Sequence, residues 1–281
     1  MSKPVCANKG IGWLFWPVPL LIVAFYLIPF LGVVTWSVSM PEVGLDNYAR
    51  IATDANIRDV IFRTLRICLL VSLVATVLAY LLAFTWVFSN KRWRFFVEIG
   101  VFLPFWLSVL VRTFGWLIAL KSNGPVNNLL MMTGLIDSPL QLTRNELGVT
   151  IGTVHFLIPF AFFPLLQALQ RVDQRIVLAA RGLGAGRLRT FWQVFFPQTV
   201  SGVLGAFIMV FVFAVGFFII PVLLGGGQTV MIAEYIFLQM FQTSNWGLGA
   251  ALSIVVLLVV GLLSWILVKY VKFGSVASEE K

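Results

Sequence analysis

Apolar residues run along this chain in long unbroken stretches divided by short polar ones. About 20 apolar residues in a helix cross a hydrocarbon core of roughly 30 Å. Runs of that length lie at about 11 to 38, 64 to 89, 95 to 120, 147 to 170, 202 to 225 and 247 to 271. They are continuous instead of heptad-spaced, which excludes a coiled coil. The pattern predicts an all-α integral membrane protein, with six transmembrane helices in a single transmembrane domain over residues 1–281. The first run is too long for a signal-peptide core and no small-residue cleavage pattern follows it. Pro17, Pro19, Pro29, Pro104, Pro159, Pro164 and Pro221 fall inside these runs. Each frees a backbone carbonyl, so kinks are expected where protein neighbours or water can satisfy it.

Composition narrows the function. Of 281 residues, 60% are apolar and 11% charged, against roughly 45–50% and about 25% in soluble domains. Too few polar side chains remain to cover a water-facing surface, which excludes a soluble enzyme. Cys6 and Cys68 have neither metal-ligand spacing nor a disulfide framework, and no metal site is expected.

Lys and Arg then orient the spans. Lys3 and Lys9, Lys91, Arg92 and Arg94, Arg171, Arg175, Arg181, Arg187 and Arg189, and Lys269, Lys272 and Lys281 place thirteen cations on one side. Arg50, Arg58, Lys121 and Arg144 place four on the other, where Glu42, Asp46, Asp54, Asp59, Asp137, Glu146 and Glu234 also fall. The positive-inside rule puts both termini and the 171–201 link in the cytoplasm. The net charge of +9 is thereby a topology signal, and nothing in it calls for nucleic acid.

Residues 178 to 197 of that link read Leu-Ala-Ala-Arg-Gly-Leu-Gly-Ala-Gly-Arg-Leu-Arg-Thr-Phe-Trp-Gln-Val-Phe-Phe-Pro. Ala179 and Ala180 are small enough for close approach of a partner, and Gly184 can adopt the left-handed backbone that turns one helix into the next. Leu188, Phe191, Trp192 and Phe195 give the second helix an apolar face, and Pro197 is expected to end it. The segment resembles the E-A-A-x-x-x-G-x9-I-x-L-P signature of membrane subunits of ATP-binding-cassette importers. Val194, Phe196 and Pro197 stand at the last three signature positions, and Leu178 replaces the glutamate. Leu45-Asp46-Asn47-Tyr48-Ala49-Arg50, Phe102-Leu103-Pro104-Phe105-Trp106 with Arg112, Gly134-Leu135-Ile136-Asp137-Ser138-Pro139 and Asn245-Trp246-Gly247-Leu248-Gly249-Ala250 are similar to spermidine/putrescine-type permeases of that family.

The resemblance implies a type I ABC importer permease fold, with Leu178 to Pro197 as a cytoplasmic coupling helix. It implies a subunit of the bacterial inner membrane that forms half of a pathway for a polyamine or related amine by alternating access. It also implies partners: a second permease subunit, two cytoplasmic ATPase subunits that bind ATP and Mg, and an external solute-binding protein, all within membrane lipid. The chain carries no Walker A sequence, so no cofactor and no ATP hydrolysis of its own are expected. An organophosphonate or an amino-acid-like solute is the alternative cargo. No Asp lies in a predicted span and Glu98 is the single Glu there, few acids for a polycation.

Candidate pathway residues are Arg112, Phe105, Trp106, His155 and Glu234. Intramembrane charges default to functional candidates, although Arg112 can equally snorkel to the interface. Glu98 is expected to lie at the interface or to bond Arg92 or Arg94 instead of holding solute, and Arg63 with Arg66 to anchor the mouth of the second span. His155 reads first as a histidine bonded to a neighbouring helix, and Glu234 as either a lining acid or a solvated loop carboxylate. A secondary carrier would need an internal repeat or ion-coupling acids, and a serine protease a nucleophile setting around Ser264; neither is evident.

Overall fold

The computed structural model describes residues 16–279, with side chains described through residue 269. Lys3, Cys6, Lys9, Trp13, Lys281 and the start of the first predicted span lie outside the described residues. Twelve helices occur among the described residues: α1 (Pro17–Ser39), α2 (Asp46–Thr53), α3 (Ala55–Phe88), α4 (Lys91–Trp106), α5 (Val109–Ala119), α6 (Pro125–Met132), α7 (Glu146–Gln170), α8 (Gln174–Gly182), α9 (Arg187–Thr190), α10 (Phe196–Val215), α11 (Ile232–Phe237) and α12 (Trp246–Glu279). Wider π-helical turns occupy Phe191–Phe195, Pro221–Gly225 and Leu238–Gln242. Five segments are long and apolar enough to cross a membrane singly: α1, α3, α7, Arg187–Val215 and Trp246–Lys269. The pair α4 and α5 makes a sixth if counted together.

Two compact units divide the chain. In the unit of residues 16–54 and 236–257, buried Asn47 donates to the carbonyls of Ser37 (3.2 Å) and Met40 (2.8 Å), and Ser37 Oγ shares a hydrogen bond with Tyr48. Gly247 lies so close to the Met40 carbonyl that a Cβ would overlap it. Trp36 meets Trp246 edge-on at 5.7 Å. Along α1 only Ser37 is buried, leaving its apolar length for lipid or a partner.

In the unit of residues 55–235 and 258–279, α3, α7 and α10 pack on one another. Their buried faces interleave small residues, Ala75, Ala79 and Ala83 on α3, Ala161 on α7, and Ala206 and Ala214 on α10, with the large side chains of Leu157, Phe162 and Leu165 on α7 and Phe211 on α10. A Cβ on Gly202 would overlap that of Ala168, and one on Gly152 would overlap Leu224. Hydrocarbon provides no hydrophobic drive between helices, so close backbone approach and dispersion hold such a trio together. At one end, Arg66 on α3 donates to Glu146 at the start of α7 (2.6 Å), with Arg63 at 3.8 Å from the same carboxylate. At the other end, Arg94 donates to the carbonyls of Trp86 (2.9 Å) and Val87 (3.0 Å), satisfying the last turn of α3. Glu98 accepts from Trp86 Nε1 (2.9 Å); it takes the indole because Arg94 is committed to those carbonyls.

The structure departs from the predicted spans at three places. The third run is two helices bent by 108°. Pro104 removes an N–H from the last turn of α4, and Leu107 and Ser108 are extended before α5 begins. The fifth span ends at Val215 instead of 225, because Gly216 caps it and Pro221 starts a separate π turn. Pro197 does not end a helix. The π turn before it closes with the Phe196 N–H on the Phe191 carbonyl, five residues back, and this widened ladder carries the chain through the proline from α9 into α10.

Replacing Gly202 with Val should destabilise the folded protein by about 1–3 kcal/mol through overpacking against Ala168. Gly205→Val, where a Cβ meets nothing within 4 Å, should be near neutral. Thermal unfolding of the two variants in one detergent separates them.

Candidate functional site

The 171–201 link is a helix, a tight turn and a second helix rooted in the membrane trio. Asp173 begins α8 by accepting from the Arg175 N–H (2.8 Å), an ordinary N-cap. At its other end Gly184 has φ +88, and the Ala185 N–H returns to the Ala180 carbonyl (3.1 Å). That is the geometry of a Schellman turn. No atom lies within 4 Å of a Cβ built on Gly184, so the glycine is required by backbone conformation alone. Thr190 is buried and donates to Gly186 (3.0 Å). Between the two helices an open cleft of about 300 Å³ is lined by Ala180, Leu183, Gly184, Arg189, Thr190 and Val194.

The apolar residues of the link divide by direction. Phe195 packs against Phe84 (5.8 Å) and Phe88 (5.5 Å), Phe191 against Phe84 (5.9 Å), and Phe196 against Tyr80 (6.0 Å). Tyr80 also shares a hydrogen bond with Thr199 (3.2 Å). These contacts fix the root of the link to α3. Leu178, Leu183, Leu188 and Trp192 remain 63%, 90%, 74% and 57% exposed. Ala179 and Pro197 are exposed, whereas Val194 and Phe196 are half-buried. The expected single apolar face is thus two faces: one grips α3 and the other is uncovered.

Three of the five pathway candidates, Trp106, Phe105 and Arg112, lie along one aromatic chain, and His155 pairs with Trp116 beside it. Trp106 meets Phe105 (5.9 Å), Phe105 meets Phe160 (5.7 Å), and Phe160 stacks on Phe156 (5.8 Å). Phe213 and Phe217 extend the chain to α10 and the segment after it. The Arg112 guanidinium sits over the Phe156 ring at 4.1 Å, a cation–π contact. Its Nε and Nη1 are buried without a hydrogen-bond partner. Trp116 Nε1 donates to His155 Nδ1 (3.1 Å), which assigns the proton of the neutral ring to Nε2. The bend at Leu107 and Ser108 is what allows Phe105 on α4 and Arg112 on α5 both to reach α7.

Glu234 stands apart from that chain. It is 7% exposed, in α11, and its Oε2 has no hydrogen-bond partner. Burial pushes its carboxyl above the ordinary carboxylate range, against a smaller opposing effect of the Met231 backbone. The segment is held by the Ile232 N–H, which donates to Thr64 on α3 (2.9 Å). Its burial removes the reading of a solvated loop residue. Phe156, Phe160 and Phe213 were not separable in the sequence from ordinary lipid-facing phenylalanines. The spacing of Phe156 and Phe160 on one helix was the sole available signal, and Phe213 reaches them from α10.

A family model described as "Binding-protein-dependent transport system inner membrane component" matches residues 75–273. The chain is 33% identical over 221 residues to the spermidine/putrescine transport system permease protein PotB of Escherichia coli K12, covering 78% of this chain and 79% of that protein. It is 30% identical over 197 residues to the protein of that name from Haemophilus influenzae, covering 69% of each. Among solved structures, a bacterial alginate ABC transporter in complex with an alginate pentasaccharide-bound periplasmic protein superposes with a TM-score of 0.73 at 20% identity. That match covers 90% of this chain and 92% of the other. The helical order, the link and the matched length agree, and the chain belongs to the family of inner-membrane permease components of binding-protein-dependent ABC importers.

Proposed function

We propose that the chain forms half of the translocation pathway of an ATP-driven importer for a polyamine or closely related amine, working by alternating access. A second permease subunit completes the pathway, two cytoplasmic ATPase subunits supply ATP and Mg chemistry, and an external binding protein delivers the solute. Both termini and the 171–201 link lie in the cytoplasm of a bacterial cell, as the distribution of Lys and Arg supports. The observation that carries the reading is the uncovered strip Leu178, Leu183, Leu188 and Trp192, borne on a link whose opposite face grips α3. An ATPase subunit that takes this strip moves α3 through Phe191 and Phe195. With Leu178 in place of the signature glutamate, apolar packing carries that docking. The amine class is supported by the names of the relatives and by the aromatic faces of Phe105, Phe160 and Phe213, surfaces suited to an ammonium group.

The left-handed turn at Gly184 separates docking from mere loop packing. Gly184→Asn, tolerated at positive φ, should retain solute-stimulated ATP hydrolysis in the reconstituted importer. Gly184→Pro and Ala180→Glu should reduce it about tenfold or more while membrane insertion is unchanged. Equal hydrolysis in all three would refute the coupling role.

For the pathway, Phe160→Ala should raise the KM for amine uptake into proteoliposomes roughly three- to tenfold, the worth of one cation–π face. Unlabelled putrescine should compete with that uptake. Competition by an organophosphonate and not by the amine would overturn the solute class.

A further inference from the structure

Among the described residues Glu234 is the one charged residue that is buried, and its Oε2 has no hydrogen-bond partner. An ionised carboxylate held out of water without a counter-charge is strongly unfavourable. The donors on the adjoining turn of α3 are committed elsewhere. Thr64, which accepts from the Ile232 N–H (2.9 Å), donates its own proton to the Val60 carbonyl (2.7 Å). Arg63 and Arg66, one and two residues from Thr64, both pair with Glu146. No Lys or Arg among the described residues forms an ion pair with Glu234. The Met231 backbone supports the carboxyl but carries no charge to balance it.

The fold delivers this acid to one end of the trio. After α10 the chain reverses on Gly226 and Gly227, with φ +54 and +77, and α11 begins where Ile232 meets Thr64. About 30 Å of α3 separates Thr64 from Phe84, where the link packs. Glu234 therefore belongs to the end opposite the link. Glu98, the one acid of the predicted spans, lies at the link end and is already bonded to the Trp86 indole. A lone carboxylate suits a lone ammonium group. Mg or Ca would need further oxygen ligands, and no group of three or more His, Cys, Asp or Glu that could hold a metal ion occurs among the described residues.

We infer that Glu234 is a solute-binding residue that takes one primary ammonium group of the cargo at the outward end of the pathway. The inference rests on the amine reading proposed above and adds to the aromatic faces the counter-charge that an alkylammonium requires. The complete importer, reconstituted in proteoliposomes with its binding protein, tests it. Glu234→Gln keeps the shape and removes the charge. It should lower putrescine uptake about tenfold or more at saturating loaded binding protein, and Glu234→Asp should recover part of that loss. The Gln variant should unfold at the wild-type temperature or above, since it relieves a buried charge. A lower temperature assigns Glu234 a structural role, including a pair with a cation of another subunit, and overturns the inference. A hydrophobic carbodiimide, which modifies buried carboxyls, should label Glu234 in the wild type, with the site read by mass spectrometry. Putrescine should slow that labelling, and the uncharged diol of the same chain length should not. Equal protection by both, or protection by neither while uptake proceeds, overturns the ammonium contact and leaves the amine reading intact. Uptake insensitive to Glu234→Gln does the same. A wild-type importer that takes up no putrescine overturns the amine reading and this inference with it.

Discussion

Lipid withholds the hydrophobic drive that holds soluble helices together, and this constraint shapes the rest of the molecule. Association of α3, α7 and α10 depends on how near their backbones come. Ala75, Ala79, Ala83, Ala161, Ala206 and Ala214 are accordingly buried, Gly202 of α10 lies against Ala168 of α7, and Gly152 of α7 lets the turn after α10 approach through Leu224. Close approach leaves little room for slack. Polar groups at the ends of the trio are consumed locally, Arg66 and Arg63 by Glu146 and the carbonyls of Trp86 and Val87 by Arg94. A packed trio of this kind shifts between discrete arrangements instead of deforming smoothly.

Everything of functional interest attaches to that trio. The link reaches it through Phe191, Phe195 and Phe196 on α3. The aromatic chain reaches it through Phe156 and Phe160 on α7, and the α11 segment through Ile232 on Thr64. A displacement applied to the link therefore has a contiguous path of ring contacts into α3, and through the small-residue interface into α7. This is a structural continuity, and the uptake and hydrolysis measurements above are what give it an energy.

Much of the fold was legible because apolar run length and Lys/Arg distribution are local, additive signals. The link was legible too: Gly184 stands where the turn between two helices needs a left-handed residue, and its φ is +88. Breaks inside apolar runs were not. Pro104 signalled a kink, but a bend of 108° follows from Leu107 and Ser108 becoming extended, which no residue type there demands. Pro197 misled in the other direction, since the π turn before it absorbed the missing N–H. Glu98 was read toward arginine, and the indole of Trp86 took it because Arg94 was satisfied elsewhere.

The sequence by itself determined that the chain is a multi-span membrane protein, which family's link it carries, and where the link turns from one helix to the next. Those properties depend on composition along the chain and on backbone conformation, both local. Tertiary structure alone decided which phenylalanines grip α3 and which apolar residues stay uncovered, that Arg112 rests on Phe156, and that Glu234 is buried. Each of these depends on side chains from distant helices meeting across a gap of a few ångströms. Period and spacing along one chain fix the face a residue occupies; packing fixes what that face meets.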